Sequence, residues 1–314
     1  MKPKNILLLS PTVFGYLDQI HSELIHQGVQ STMVHYHGYK YKGFVEKVQN
    51  FFSKTFLDKN LKYKRSFQTM YDQIPSEKVY DCILLINPEY YNKEDLLKLK
   101  SRTKKLITYL FDGVEKVPDS IKHIEVFDKV FCYDKSDVQK YGFQFITNYI
   151  YHKPLENSTQ KHLFFNIASF DKSRFEVLKR ITDHLDQNHW DYNFMLYHPK
   201  EVSYSQIKWI HNPIDVKEIQ NFIASSKILL DIQREKQTGL SFRVFEALGN
   251  EKKLVTTNPD ISSYDFYHPQ NICIIDPKNP VIPKDFVASE YQKISEEILQ
   301  KYRLSKWVKK VFDL

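Results

Sequence analysis

Arg243 and Glu246 stand three residues apart in a segment with a glycine at each end, Gly239 before it and Gly249 after it. At that spacing the two side chains neighbour each other on a helix surface. Leu240, Val244, Ala247 and Leu248 form the opposite, apolar face. A loop glycine ahead of a helix exposes backbone N–H groups to an anion, and an arginine adds a forked cation. A carboxylate one turn deeper can accept hydrogen bonds from hydroxyls. Phosphate next to sugar hydroxyls is what a nucleoside diphosphate presents. A solvated i, i+3 ion pair on an ordinary helix fits the same spacing, so both readings stand at this point.

Anchoring such a pair needs strands and helices in regular alternation, and the sequence supplies them. Apolar strand-like runs occupy 5–10, 31–36, 80–86, 104–110 and 127–133, with helical patterns at 15–27, 44–57 and 93–100. A polar stretch follows Pro154. The alternation then resumes, with strands at 162–168, 191–197, 227–232, 253–257 and 271–275. Helices fall at 173–187, 216–225 and 240–248, and 290–312 reads as one or two more. Asp215 and Glu218 have capping-box spacing ahead of the 216–225 helix. Near-continuous apolar strands separated by helices predict parallel sheets covered on both faces. The expected fold is therefore α/β, two Rossmann-like domains facing a cleft. The expected boundaries are 1–154, 155–289 and a helical tail at 290–314 that returns to the first domain.

Ligands in such sheets sit beyond the carboxyl ends of the strands. This rule selects Gly15 and Tyr16 after the first strand as cleft residues, Glu89 and Asp112 after two others, Ser169 to Arg174 at a strand-to-helix junction, and Gln233 to Gly239 after a further strand. Either carboxylate has the chemistry of a general base, of a hydroxyl-binding group or of a helix cap. Arg174 suits a phosphate, or equally a capped helix with solvated charges. Gln237 and Thr238 suit sugar or phosphate contacts, or ordinary loop hydrogen bonds. Asp231 reads as a strand residue paired with backbone.

Composition narrows the field. The chain has 314 residues, 42% hydrophobic and 26% charged, with a net charge of +7 that favours an anionic partner. No apolar run is long enough to span a bilayer, and the run after Lys4 is too short for a signal-peptide core, so a cytoplasmic location is expected. Cys82, Cys132 and Cys273 are widely spaced in apolar runs, as reduced buried thiols are. His35 and His37 alternate without metal-ligand spacing, and no metal site is expected. Basic and aromatic residues interleave over 39–65. No nucleic-acid-binding signature accompanies them, so nucleic acid is not expected as a partner. The helix within that stretch packs a core face, or rests peripherally on the anionic inner membrane. The tail from Lys301 offers the same pair of readings, with Trp307 and Val311 as the packing face of a closing helix.

Asn5-Ile-Leu-Leu-Leu-Ser-Pro followed by Phe14-Gly15-Tyr16 resembles the opening of bacterial capsule and lipopolysaccharide glycosyltransferases of the GT-B fold. Leu230-Asp-Ile-Gln, Gln237-Thr-Gly-Leu, Arg243-Val-Phe-Glu-Ala-Leu-Gly and Lys252-Lys-Leu-Val-Thr-Thr-Asn are similar to the donor-binding half of that family, as are Tyr264-Asp-Phe-Tyr and Asn271-Ile-Cys-Ile-Ile-Asp. The resemblance spans nearly the whole chain and is strongest over 227–276 and 5–16. It implies transfer of a sugar from a nucleotide-sugar donor, held by the C-terminal domain, to a glycan or lipid-linked acceptor on the N-terminal side. It further implies Arg243 toward the donor diphosphate, Glu246 toward the ribose, and Gly239 allowing the phosphates close to the backbone. The donor is a co-substrate, and neither a metal nor another cofactor is implied. Leu248-Gly-Asn-Glu departs from the family's pattern at the helix end, where Asn250 is expected to take a left-handed cap. Two other functions remain open on this scaffold, a nucleotide-sugar 2-epimerase and a non-catalytic sugar-nucleotide binding protein.

Overall fold

A computed structural model describes residues 5–11, 15–36, 43, 61–75, 78–155, 159–198, 204–212, 214–235 and 237–314. The expected helix at 44–57, Phe14, His37 and residues 156–158 of the polar stretch lie outside the described residues. The chain forms two compact units, Met1–Ile146 with Val308–Leu314, and Thr147–Trp307.

In the first unit, β1 (Asn5–Pro11), β2 (Gln30–Tyr36), β3 (Cys82–Ile86), β4 (Leu106–Leu110), β5 (Lys129–Cys132) and β6 (Gln144–Phe145) make a parallel sheet ordered β2-β1-β3-β4-β5-β6. Its described helices are α1 (Tyr16–His26), α2 (Leu61–Tyr71), α3 (Lys93–Lys100) and α4 (Lys135–Tyr141). Every residue of β3 and β4 is buried, which explains their unbroken apolar sequence: helices cover both faces, so no position alternates toward water. Helix α2 escapes the sequence pattern because only Ser66, Phe67 and Met70 of it are buried, too narrow a stripe among Lys62, Lys64 and Arg65 to give a clear period.

The second unit carries β7 (His162–Ser169), β8 (Tyr192–Tyr197), β9 (Lys208–Ile210), β10 (Ser226–Asp231), β11 (Lys253–Thr256) and β12 (Ile272–Ile274), parallel and ordered β12-β11-β10-β7-β8-β9. The order reverses between β7 and β10, the crevice where doubly wound sheets bind ligands. Its helices are α5 (Lys172–Gln187), α6 (Val216–Ala224), α7 (Phe242–Gly249), α8 (Lys284–Ala288) and α9 (Glu296–Tyr302). Asp215 caps α6, accepting from Lys217 N at 2.8 Å. A last helix, α10 (Leu304–Phe312), buries Leu304, Trp307, Val308, Val311 and Phe312, so its apolar face is consumed by packing. No helix among the described residues is long and apolar enough to cross a membrane. Cys82 and Cys132 are buried and Cys273 is half-buried, all free thiols, and burial pushes the first two up to about 12.

Residues 147–154, expected in the first domain, bond into the second unit. Asn148 Nδ2 donates to Leu240 O at 2.9 Å, and Ile150 exchanges backbone hydrogen bonds with Tyr302 and Leu304, each 2.8 Å. Of the expected tail, only 308–314 group with the first unit, where Asp313 takes Lys105 and Lys129.

Helix α7 corrects two sequence expectations. It is not a surface helix with one apolar face, because all of Arg243 to Gly249 is buried. Asn250 does not adopt the left-handed cap (φ −104°), and Glu251 does (φ 52°). Gly249 ends the helix, as its place in the sequence suggested. A Cβ there would lie 2.6 Å from Ile150 Cγ2, so glycine is required for the close approach of the 150–152 segment. Gly249→Ala is expected to destabilise the protein by roughly 1–3 kcal/mol through overpacking, with partial recovery in Gly249→Ala/Ile150→Ala, measured by denaturant unfolding. An unchanged unfolding midpoint would show that Ile150 moves aside freely.

Candidate functional site

A cavity of about 210 Å³ opens at the β7/β10 switch point. Asn166 to Ser169 on β7, Leu230 to Ile232 on and after β10, and Ser241 to Arg243 at the start of α7 line it, with Arg174 and Arg234. A second cavity, about 330 Å³, adjoins it and shares Arg174 and Arg234, adding Gln233, Gln237, Thr257 and Pro277. Three arginines thus face a volume suited to a phosphate-bearing small molecule.

The strand ends and helix starts are locally specified. Ser241 caps α7, accepting from Arg243 N at 3.2 Å and donating to Asp231 Oδ1 at 2.7 Å. Asp231 Oδ2 accepts from Thr256 Oγ1 at 3.0 Å, so this carboxylate is held by hydroxyls and not by backbone, as the sequence had suggested. It joins β10, β11 and α7 beneath the cavity. Asp171 caps α5, taking Arg174 N at 3.1 Å and Ser173 Oγ at 2.6 Å. Burial alone would raise the Asp171 carboxyl, but these donors and the Arg174 and Arg234 charges bring it below the usual range. The Arg174 guanidinium donates to Ser169 O at 2.8 Å at the cavity wall, so this junction is a capped helix with its arginine lining the cavity.

Arg243 is 9% exposed. Its Nη1 meets Glu246 Oε2 at 2.6 Å and its Nη2 donates to Ile167 O at 3.0 Å, with the Phe165 ring 5.5 Å away. Glu246 is fully buried and absent from the walls of both cavities. Its second oxygen accepts from Tyr151 Oη at 2.6 Å. In this structure Glu246 therefore supports Arg243 and presents no carboxylate oxygen to a ribose. Gln237 lines the second cavity and donates to Gly239 O at 3.2 Å. Thr238 and Gly239 line neither cavity, and Thr238 O accepts from Asn258 Nδ2 at 3.4 Å. The helix is capped by Ser241, two residues beyond Gly239, which takes that glycine away from the cap position. Arg234 was not singled out as a site residue from sequence, although the strand-end rule encloses it. It follows β10 by three residues.

In the first unit the switch point lies between β1 and β3. Gly15 caps α1 in the left-handed region (φ 74°), which its lack of a Cβ permits, and Tyr16 opens the helix. Glu89 sits in the short 3₁₀ turn Pro88–Tyr90 after β3, led in by Asn87 at φ 56°. Asp112 follows β4 and pairs with Lys116 at 2.5 Å. The two carboxylates feel each other. Burial pushes Glu89 up to about 7, and the Asp112 charge adds to this, against Lys116 and a backbone N–H. A carboxylate that titrates near neutrality is matched to proton transfer. Sequence reasoning named both residues, Asp112 ahead of Glu89. Of the two, it is Glu89 whose carboxyl is raised toward neutrality, chiefly by burial and in part by the Asp112 charge.

No protein-family model matches the sequence, and no curated protein matches it. Solved structures do resemble the fold. The chain is similar to the lipopolysaccharide outer core galactosyltransferase WaaB (TM-score 0.51, 12% identity, 98% of this chain and 99% of that one). It is similar to an alpha-glucosyltransferase in complex with UDP and a 13-mer DNA (TM-score 0.53, 10% identity, 100% and 91%). It is also similar to UDP-N-acetylglucosamine 2-epimerase from Rickettsia bellii (TM-score 0.52, 11% identity, 99% and 95%). Identities at this level speak to architecture alone. With two six-stranded parallel Rossmann-like sheets and likeness along the full chain, this protein has the GT-B fold.

Proposed function

We propose that the protein is a metal-independent glycosyltransferase of bacterial surface polysaccharide synthesis, moving a sugar from a nucleotide-sugar donor to a glycan or lipid-linked acceptor. The observation that carries this reading is the cavity at the β7/β10 switch point, walled by Arg174, Arg234 and Arg243. A leaving diphosphate gains negative charge as the glycosidic bond breaks, and pre-placed cations stabilise that charge most in the transition state. The arginines take the part a metal plays elsewhere, so turnover is expected to persist in EDTA. Galactosyl and glucosyl transfer by proteins of this fold, one of them held with UDP, supports a nucleoside diphosphate leaving group. Glu89, tuned by Asp112, is the proposed base that takes the acceptor's proton.

The test is a thermal-shift panel of nucleoside diphosphates and their sugars, followed by turnover with the one that binds. A ligand at 100 times its Kd stabilises the native state by about 2.7 kcal/mol, a readily measured rise in melting temperature. Diphosphate release that requires an acceptor supports transfer. Isomerisation of the donor sugar without acceptor would make the protein an epimerase, an activity this fold also carries. Binding without turnover would make it a sugar-nucleotide binding protein. No shift with any diphosphate would overturn the donor-site reading.

A further inference from the structure

We propose that Tyr151 and Gln220 are positioning residues that hold Arg243, through Glu246, in the orientation that meets the donor diphosphate. This rests on the donor-site reading of Arg243 and adds a layer behind it.

An arginine and a glutamate one helical turn apart have many rotamers in which they miss each other, and fixing long side chains costs entropy. The structure removes that freedom with a buried chain of hydrogen bonds whose direction is set at each link. Gln220 Nε2, on α6, donates to the Tyr151 hydroxyl oxygen at 2.9 Å. With that oxygen occupied by a donor, the phenolic proton is directed to Glu246 Oε1, 2.6 Å away. Glu246 is then left with Oε2 for Arg243 Nη1 at 2.6 Å. The Gln220 amide is itself oriented. Its oxygen faces Asn250 Nδ2 at 3.4 Å, and Asn250 Nδ2 also donates to Glu246 O at 2.8 Å, which identifies it as the amide nitrogen. His152 Nε2 lies against the same nitrogen, and burial holds the imidazole down to about 4, so the ring stays neutral and accepts there.

Tyr151 has no part in the cavity wall, and neither does Gln220. Through Glu246 they act on Arg243, which does line the cavity. A buried carboxylate with one oxygen on a cation and the other on a directed hydroxyl is locked in plane. The guanidinium is thereby fixed between Glu246 and Ile167 O. Pre-organisation of this kind lowers the ordering cost of anion binding.

Tyr151→Phe removes one oxygen and keeps the ring that packs edge-on to His152 and Phe242. UDP is the probe and uridine the control. The variant is expected to bind UDP about tenfold more weakly, the scale of one hydrogen bond to a charged group, and uridine within about twofold of wild type. Equal loss for both, or loss for neither, would assign Tyr151 to general stability and overturn the proposal. A ligand-free arm separates this from failure of the donor site. Rotation of the Arg243 guanidinium about Nε–Cζ is read by side-chain ¹⁵N exchange, its signal assigned by loss in Arg243→Lys. Rotation is expected to accelerate in both Tyr151→Phe and Gln220→Leu. Unchanged rotation would overturn the positioning role whether or not UDP binds.

Discussion

Arg243→Ala is expected to lower donor-dependent turnover by ~10²-fold or more, because a charged contact to the departing diphosphate strengthens as the bond breaks. The structure adds a second consequence. Arg243 is the cation paired with a fully buried Glu246 carboxylate, and removing one partner of a buried pair costs roughly 3–5 kcal/mol. A lower melting temperature would therefore accompany the activity loss and confuse its meaning. Two variants resolve this. Arg243→Lys keeps a positive charge but cannot serve Glu246, Ile167 O and a phosphate with one planar fork. It should fold and still lose most turnover. Arg243→Met/Glu246→Gln removes both charges while the glutamine oxygen can still accept from Tyr151, so melting should recover towards wild type while turnover does not. Near-wild-type kcat/KM in the stable double variant would refute the role of Arg243 in leaving-group stabilisation.

Glu89→Gln is the second large effect, an expected 10²–10⁴-fold fall, the usual range for loss of a general base. Wild-type kcat/KM should rise with pH through about 7, as Glu89 loses its proton. Asp112→Asn should move this limb to lower pH, because it removes a neighbouring negative charge and releases Lys116 to act on Glu89. Stability should move oppositely to activity. The folded-state value lies above the ordinary glutamate value of 4.5, so the folded protein holds this proton more tightly than the unfolded chain. Stability from this group is full below about 4.5 and falls as pH rises through about 7. Glu89→Gln mimics the protonated form. Its melting temperature relative to wild type should climb across that window and level off above it. A variant that is inactive and also destabilised at pH 8 would indicate a structural carboxylate instead.

The parts of the site that were legible in the sequence are those set by local rules. Strands β3, β4 and β10 announced themselves as apolar runs, and the strand-end rule drew attention to Glu89, Asp112, Ser169 to Arg174 and the stretch holding Arg234. The parts that were not legible depend on what packs from elsewhere. Helix α7 read as amphipathic because Arg243 and Glu246 are charged. Their charges in fact pair with each other inside the unit, and the second Glu246 oxygen is satisfied by Tyr151, which lies 95 residues from Glu246 in sequence. Periodicity assigns charged residues to water by default and has no means of seeing a partner so distant.

Gly249 makes the same point at backbone scale. Its place at the helix end was legible, yet the demand for glycine there comes from Ile150, far earlier in the chain. Glu89 makes it for chemistry. Its identity and strand-end position follow from the chain, while the rise of its carboxyl to about 7 follows from burial and from Asp112 beyond the end of the neighbouring strand.

By itself, then, the sequence determined the α/β alternation, the strand ends and the residue types placed there, because hydrophobic period and turn chemistry are written over short windows. The tertiary structure decided which of those ends converge, that Arg174, Arg234 and Arg243 share one cavity wall, that Glu246 faces inward, and which carboxylate is tuned to neutrality. Those properties arise from strand order and from the fields and packing of residues distant along the chain, and only the assembled sheets bring such residues within a few ångströms of one another.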